Sequence, residues 1–280
     1  MPHSHLQDGN ATGMLHFDFV FLHRQLKFYF HYRPSWVWLF FAIWFANSEE
    51  EFITDDPIFQ NDPFLIEESD RLWDEPDKNG NYQLDDMILS TVQFKQNFGS
   101  DEEKADLNRQ AVPYNFFRWP NGILPFQFSS EVSSSNRKYI KEVIADFNAA
   151  MSGCIRIKEK ASENDYVLVT GQESGCWAMV GRRGGQQQLN LQQNGCIRSI
   201  TIQHEFIHAL GLYHMQSRPD RDQYVTIHFD NIRSESVHNF QLLSDTLTFN
   251  MEYDGRSFMH YPSYAFAKDR SKPTISSKVN

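Results

Sequence analysis

The sequence predicts an α+β domain, because segments with helical periodicity alternate with short runs typical of strands. From Ser135 to Ala150, apolar side chains recur at helical spacing, which predicts an amphipathic helix. Residues 202–210 carry a second apolar stripe at that spacing. A Gly184-Gly185 pair predicts a turn before the last of the strand-like segments. Those segments are Tyr166–Thr170, Trp177–Val180 and Gln188–Leu191.

Residues 1–48 form an N-terminal extension with an uncharged apolar run at 36–46. That run is too short for a comfortable membrane span and is typical of the apolar region of a signal peptide. Ala46 and Ser48 place small residues where cleavage after Ser48 would require them. We therefore expect a secreted, extracellular protein. A membrane partner is expected only if the run stays uncleaved as an anchor.

Residues 49–109 are acidic, contain Pro57, Pro63 and Pro76, and show little periodicity. That composition is typical of a poorly packed segment, and we interpret it as a propeptide. The whole chain has a net charge of -10 and a pI near 5.5. Those values argue against nucleic acid as a partner, because phosphate backbones are bound mainly by basic surfaces.

Within the acidic segment, residues 75–82 resemble the first half of a calcium-binding loop, with Asp86 at the final ligand position. However, the first position is Glu75 rather than aspartate, and no amphipathic helices flank the loop. A simple turn is therefore the favoured interpretation over calcium binding.

The strongest chemical signal is the pattern H-E-x-x-H-x-x-G-x-x-H at residues 204–214. His204 and His208 are four residues apart, so on a helix they share one face and can bind one metal ion. Gly211 can adopt positive φ and end the helix, which lets the chain turn back and present His214 as a third ligand. Three protein ligands with an open fourth position are typical of catalytic rather than structural zinc. Glu205 lies beside the first ligand, where it can act on a metal-bound water.

The neighbours of this pattern resemble the astacin family of metzincin zinc endopeptidases over roughly residues 110–280. The matching segments occur in the same order as in that family. They read RWPNGILPF at 118–126, GCWAMVGRRGGQQQL at 175–189, MQSRPDRDQYV at 215–225 and SFMHY at 257–261. The resemblance implies a two-subdomain metzincin fold, with a twisted sheet above the zinc helix and a mostly irregular lower part. An edge strand of that sheet would pair with an extended substrate.

The resemblance also implies a role for each matching residue. His204, His208 and His214 would bind one Zn²⁺ ion, and Glu205 would be the general base for the zinc-bound water. Met259 matches the methionine of the family's Met-turn, and Tyr261 matches a tyrosine that stabilises the oxyanion. A phenol is a neutral donor at neutral pH, which agrees with that role. Met215 departs from the family's usual glutamate, and a thioether cannot anchor a charged N-terminus as that glutamate does.

The chain has three cysteines. The resemblance implies a disulfide between Cys176 and Cys196, worth on the order of 3 kcal/mol for a loop of about twenty residues. Cys154 matches a cysteine whose family partner lies beyond Asn280, so we expect a domain that lacks its C-terminal end. A thiol in that position would pair between chains or lie buried.

The resemblance implies a propeptide switch as well. The family carries an F-x-G-D motif whose aspartate occupies the open zinc position. Asp86 takes that position here, while Gln83 and Asp85 replace the phenylalanine and the glycine. A solvated acidic turn is the alternative interpretation. A trypsin-like protease would activate the enzyme by cutting after Arg109.

Together these features predict a secreted zinc-dependent endopeptidase made as a zymogen, which hydrolyses protein or peptide substrates. The alternative is a non-catalytic, truncated protein that binds zinc or a protein partner without turnover. The missing C-terminal end and the lone Cys154 favour that alternative, because losing a native disulfide costs several kcal/mol.

Overall fold

The computed structural model describes residues 75–109, 114–243, 246, 248 and 251–278. The apolar run at 36–46 and the proposed signal cleavage site lie outside these residues. Within them, no helix is both long and apolar enough to cross a membrane. The helices are α1 (Thr91–Phe98), α2 (Asp101–Arg109), α3 (Ser134–Ala150) and α4 (Ser199–Leu210). The strands are β1 (Asn81–Leu84), β2 (Met87–Ser90), β3 (Ile123–Phe128), β4 (Arg156–Glu159), β5 (Tyr166–Thr170), β6 (Cys176–Met179), β7 (Gln186–Leu191), β8 (Val225–Ile227) and β9 (Ile275–Ser277).

The main sheet has seven strands in the order β1-β2-β6-β7-β5-β3-β4. The β1–β2 and β6–β7 pairs are antiparallel, and the other pairs are parallel. Strands β5 and β6 and helix α3 lie within a residue or so of the segments that periodicity predicts, which confirms those elements. Strand β7 begins two residues earlier than predicted, directly after Gly185.

The larger hydrophobic core lies between the main sheet and helices α3 and α4. Side chains from the inner face of α3 enter it, including Ile140 and Phe147, which are almost completely buried. From α4, Phe206 packs edge-on against Phe126 of β3, with ring centroids 5.9 Å apart. Trp119 donates a 2.7 Å hydrogen bond to the carbonyl of Ala209 and ties the chain before β3 to the end of α4. This packing makes α4 a fixed platform below the sheet.

A second hydrophobic cluster lies in the C-terminal part of the described chain, which consists mostly of turns around the small β8–β9 sheet. Its aromatic members meet edge to face, as Phe240 does with Tyr261 and with Phe266. The two clusters correspond to an upper and a lower subdomain, which confirms the predicted α+β architecture.

The expectation of a poorly packed acidic segment is wrong for residues 75–109. Strands β1 and β2 form a hairpin that joins the main sheet through β6. Helix α1 begins with a capping box in which Ser90 and Gln93 each bond to the other's backbone. The composition of this segment does not predict an ordered hairpin, because the hairpin is stabilised by long-range contacts rather than by its own apolar periodicity.

The calcium-loop resemblance corresponds to a turn in the structure. The Asp77 carboxylate accepts hydrogen bonds from the backbone N–H groups of Asn79 and Asn81, each at 2.8 Å. Gly80 adopts a positive φ of 77°. Strand β1 follows this turn, whereas a calcium-binding loop would lead into a helix.

Candidate active site

Helix α4 holds two of the predicted metal ligands on its buried face. His204 and His208 are 6% and 0% exposed. The helix ends at Gly211, whose φ of 110° lies in the left-handed region, and the Gly211 N–H bonds back to the carbonyl of His208 at 2.8 Å. The reversed chain then brings the buried ring of His214 against the other two rings. The glycine therefore turns the chain as its place in the pattern predicts.

The three Nε2 atoms converge on one point. They lie 3.0 Å apart between His204 and His208, and 3.2 Å from each of these to His214. The Nδ1 atoms of His204 and His208 face the carbonyls of Phe258 and Leu212 at 2.9 and 2.7 Å, so these nitrogens carry the protons. In the neutral tautomer that this arrangement favours, the Nε2 atoms of His204 and His208 present their lone pairs toward the other rings. Neutral rings held through Nδ1 by backbone carbonyls are typical of histidine ligands to metals.

Burial favours the neutral form of two of these rings. It lowers the pKa of His208 below its ordinary value and that of His214 to about 4, although the nearby Asp86 carboxylate opposes the shift.

The donor set fits a zinc ion. Ligand atoms about 2.0–2.1 Å from a tetrahedral zinc lie roughly 3.3 Å from one another. The Nε2 separations are close to that value, and the Asp86 carboxylate lies 3.1, 3.4 and 3.2 Å from the Nε2 atoms of His204, His208 and His214. All four ligand atoms lie within 4.8 Å of one another. Three imidazole nitrogens and one carboxylate oxygen are a combination that zinc accepts.

A sequence profile of the peptidase family described as Astacin matches residues 111–280. The chain belongs to the astacin family. Astacins are zinc enzymes, in agreement with the histidine cluster at residues 204–214. The family match begins at Ala111, two residues after the predicted activation site at Arg109.

Named astacin relatives and one solved astacin structure resemble the chain. It is 32% identical to zinc metalloproteinase nas-4 of Caenorhabditis elegans over 71% of this chain and 62% of that protein. It is 40% identical to meprin A subunit beta of Homo sapiens over 69% of this chain and 30% of that protein. The solved structure of high choriolytic enzyme 1 from Oryzias latipes, a hatching enzyme zinc-protease, superposes with a TM-score of 0.54. It shares 38% identity over 58% of this chain and 80% of that chain. The match thus spans less than two thirds of these two curated relatives.

The 257–261 segment, which the sequence predicts to be the Met-turn, contacts the histidine cluster. The Phe258 carbonyl orients His204, and the side chain of Met259 is buried in the upper core. The Met259 carbonyl accepts a 2.7 Å hydrogen bond from the backbone of Met215. Met215 thus contributes to the site through its main chain, and its sulfur lies 3.7 Å from an Arg218 nitrogen.

Glu205 is completely buried, and neither carboxylate oxygen has a hydrogen-bond partner in the described part of the chain. Burial is the main reason its pKa is raised well above the ordinary value, and the negative charges of Asp86 and Asp85 raise it further. A buried carboxyl that accepts no protein hydrogen bond is ready to take up a proton.

Asp86 lies in the tight turn between β1 and β2, and this turn carries its carboxylate to the three histidines. Burial alone would raise the pKa of Asp86. Electrostatic interactions with His214 and His208 and the contact with His204 outweigh burial and hold that pKa well below its ordinary value. The structure thus brings together the histidines and Asp86, which are 118 residues apart in sequence for the closest pair.

Other predicted residues lie farther from the metal ligands. Cys176 and Cys196 form a disulfide, with Cα atoms 5.6 Å apart, that ties the start of β6 to the loop before α4. Cys154 lies after α3 and is partly exposed. Arg109 is the last residue of α2, and residues 110–113 lie outside the described part of the chain.

Two residues near the site make contacts that the sequence does not predict. Arg183 reaches from the loop before β7 to the Asn81 side chain at 2.7 Å and to the carbonyl of Ile88. Asp85 lies 2.5 Å from the Tyr261 hydroxyl. In the sequence, these residues stand out only as members of the pairs Arg182-Arg183 and Asp85-Asp86. Neither pair indicates which residue it contacts until the fold is known.

Proposed function

We propose that this chain is a secreted zinc endopeptidase made as a latent zymogen. The observation that carries the proposal is the convergence of three histidine Nε2 atoms, with a buried Glu205 on the same helix whose carboxylate has no hydrogen-bond partner in the described part of the chain. A site that only holds metal for stability needs no such carboxyl. The names of the relatives, which include a hatching enzyme zinc-protease, agree with peptide-bond hydrolysis.

His204, His208 and His214 would hold the zinc ion. When bound, zinc supplies Lewis acidity toward a water molecule and toward the scissile carbonyl. Glu205 accepts the proton that the attacking water loses as its oxygen bonds to the carbonyl carbon. It then gives that proton to the amine nitrogen as the carbon–nitrogen bond breaks.

Tyr261 is the proposed donor to the oxyanion. Its ring packs against His214, with centroids 4.7 Å apart, and its hydroxyl lies 2.5 Å from Asp85, the residue next to Asp86. Burial is the largest cause that raises the pKa of Tyr261 well above its ordinary value, so the hydroxyl keeps its proton. A neutral phenol can therefore aim a hydrogen bond at charge that develops on the substrate oxygen.

Latency is proposed from the position of the hairpin. Strand β2 pairs with β6, and the N–H groups of Ala178 and Val180 donate to the carbonyls of Asp86 and Ile88 at 2.9 and 3.1 Å. The hairpin thus uses the backbone groups with which an extended peptide would pair. Asp86 lies at the same time against the metal ligands, so substrate and water are both excluded until the hairpin leaves.

Cleavage after Arg109 is the proposed activation step. The cut would separate the hairpin, α1 and α2 from the family-matched domain, which begins at Ala111. A trypsin-like protease is the expected partner because the residue before the cut is arginine. Protein or peptide is the expected substrate.

The experiment is hydrolysis of an unfolded protein by the chain after trypsin cleavage, with and without a zinc chelator. We expect the chelator to abolish cleavage and added zinc to restore it. Glu205→Gln should keep one zinc per chain but lose at least about a hundredfold in turnover, because general-base catalysis contributes that much or more. Glu142→Gln, an exposed glutamate on α3, is the matched control and should retain full activity.

Two results would overturn the proposal. Cleavage that survives the chelator, or that survives Glu205→Gln, would exclude this mechanism. Stoichiometric zinc binding with no cleavage by the trypsin-cut chain would favour the non-catalytic alternative instead.

A further inference from the structure

Asp85 occupies an unusual backbone position next to Asp86. Its φ is 56°, in the left-handed region that glycine adopts without strain. The motif of related propeptides has a glycine at this position, whereas this chain carries an aspartate. Aspartate tolerates positive φ better than most residues, but less well than glycine. The backbone therefore gives no reason to prefer aspartate here.

The side chain of Asp85 gives such a reason. Its Oδ2 atom lies 2.5 Å from the hydroxyl of Tyr261, which is the donor because a carboxylate accepts. The tyrosine ring is fixed on its other sides by Phe240 and Phe266, at centroid distances of 5.5 and 5.4 Å. Asp85 is thus the hydrogen-bond partner of a hydroxyl that is otherwise surrounded by rings.

We propose that Asp85 is a second lock of the latent state, which holds the Tyr261 hydroxyl while Asp86 blocks the histidines. The proposal rests on the proposed zymogen function and assigns Asp85 as a positioning residue rather than a catalytic one. The hairpin then disables two parts of the machinery with adjacent side chains. The Tyr261 hydroxyl becomes available to substrate only when the hairpin departs.

The lock also predicts where the hairpin is held. Asp85 and Asp86 lie at the tip of the hairpin, and the backbone pairing of β2 with β6 covers only the next few residues. A bond between Asp85 and Tyr261 ties the tip to the lower subdomain, while β2 is bound to the upper one. Opening of the hairpin therefore requires its contacts with the upper and the lower subdomain to break together.

Amide hydrogen exchange of the full, uncut chain tests this lock without a need for catalysis. The N–H groups of Ala178 and Val180 donate to hairpin carbonyls, so their exchange reports on hairpin opening. The informative variant is Asp85→Gly, which removes the carboxyl and relieves the backbone. If Asp85 matters only through its backbone, protection at the two amides should stay or rise. If the contact with Tyr261 matters, protection should fall about fivefold, as for loss of one hydrogen bond.

A double-mutant cycle with Tyr261→Phe separates the contact from other effects. We expect Tyr261→Phe alone to lower protection more than Asp85→Gly, because it does not relieve the backbone, and the pair to lower it no further. Glu75→Gly is the matched control, because it removes an exposed carboxylate from the same segment and should leave protection unchanged.

The outcomes separate this inference from the proposed function. Equal effects of Asp85→Gly in the wild-type chain and in the Tyr261→Phe variant would overturn the lock but leave latency through Asp86 intact. Unprotected amides at Ala178 and Val180 in the uncut wild-type chain would overturn latency itself, and the lock with it. Protease activity of the cut chain is a separate measurement that neither result affects.

Discussion

The histidine helix α4 and the β1–β2 hairpin present their side chains to the same point, but different contacts hold them there. Most residues of α4 are buried, and the helix packs against β6, β7 and α3 as part of the upper core. The hairpin rests on the outside of that core. It is held by its pairing with β6, by a small cluster that includes Leu84, Met87 and Leu89, and by the reach of Arg183.

This difference indicates that the β1–β2 hairpin, rather than helix α4, is the part that could separate from the rest of the domain. Removing α4 would dismantle the core, whereas removing the hairpin would expose one strand edge and a small apolar surface. Under the proposed function, the site therefore has a permanent half, helix α4, and a removable half, the β1–β2 hairpin. Substitutions in the two halves should therefore have separable effects, on the cut chain for α4 and on the uncut chain for the hairpin.

The largest effect is expected for Asp86→Asn in a chain made uncleavable by Arg109→Gln. An amide cannot replace the carboxylate beside a bound zinc ion, and removing one partner of such a buried charged pair costs about 3–5 kcal/mol. Proteolytic activity of the uncut chain should therefore rise at least about a hundredfold. Hydrolysis of an unfolded protein measures this rise.

The matched control for that prediction is Asp101→Asn, an exposed acid on α2. It should leave the uncut chain inactive. After trypsin cleavage of chains that retain Arg109, Asp86→Asn and wild type should be equally active. A difference between the cut chains would mean that Asp86 belongs to the permanent half.

A smaller effect is expected from His260, a buried residue of the 257–261 segment. Burial lowers its pKa to about 4, and Tyr253 donates a hydrogen bond to its Nε2 at 2.7 Å. The neutral ring is favoured in the folded state, so its contribution is complete above the unfolded pKa of about 6.5. It is lost as the pH falls from there toward 4. Roughly 2 kcal/mol of stability should disappear between pH 6.5 and 5.

Urea unfolding of the zinc-loaded chain at both pH values measures that loss, with His260→Gln as the variant that should reduce it. His228→Gln is the control, because His228 bonds to Ser276 at an exposed site. An unchanged pH dependence in His260→Gln would show that the ring is already charged in the fold.

The smallest effect is expected for Arg183→Lys in the removable half. Lysine keeps the charge but cannot reach both Asn81 and the Ile88 carbonyl with one planar group. Loss of one such bond costs about 1.5 kcal/mol, so hairpin opening should increase roughly tenfold. Amide exchange at Val180 measures the opening. Arg137→Lys, which alters an arginine that also binds backbone carbonyls but on α3, should leave it unchanged.

The same division explains how much the sequence predicts. The permanent half is encoded by local patterns, since spacing alone places His204 and His208 on one helical face and Gly211 at its end. The helix α3 and the strands β5 and β6 are likewise predicted from periodicity. Each of these signals lies within about twenty residues, where backbone geometry decides the outcome.

The removable half lacks such signals. Met87, Ile88 and Leu89 are consecutive apolar residues, so they show no alternation, and the pairing that orders them comes from β6 nearly ninety residues later. Asp86 was proposed as a ligand only through a degraded motif. Its approach to the histidines depends on a turn at Asp85 that the local sequence does not require. Tertiary contacts determine the structure of this region, whereas its acidic composition predicted a poorly packed segment.

Gly181, which follows β6, lies against Gly211 at the end of α4. The Gly181 N–H donates to the His208 carbonyl at 3.0 Å. A Cβ on Gly181 would lie 2.9 Å from the Phe117 carbonyl oxygen, and one on Gly211 would lie 3.7 Å from the Cα of Gly181. Both residues also have positive φ. Every amino-acid substitution at either glycine adds a Cβ. Almost no substitution at these two positions should therefore be neutral in evolution.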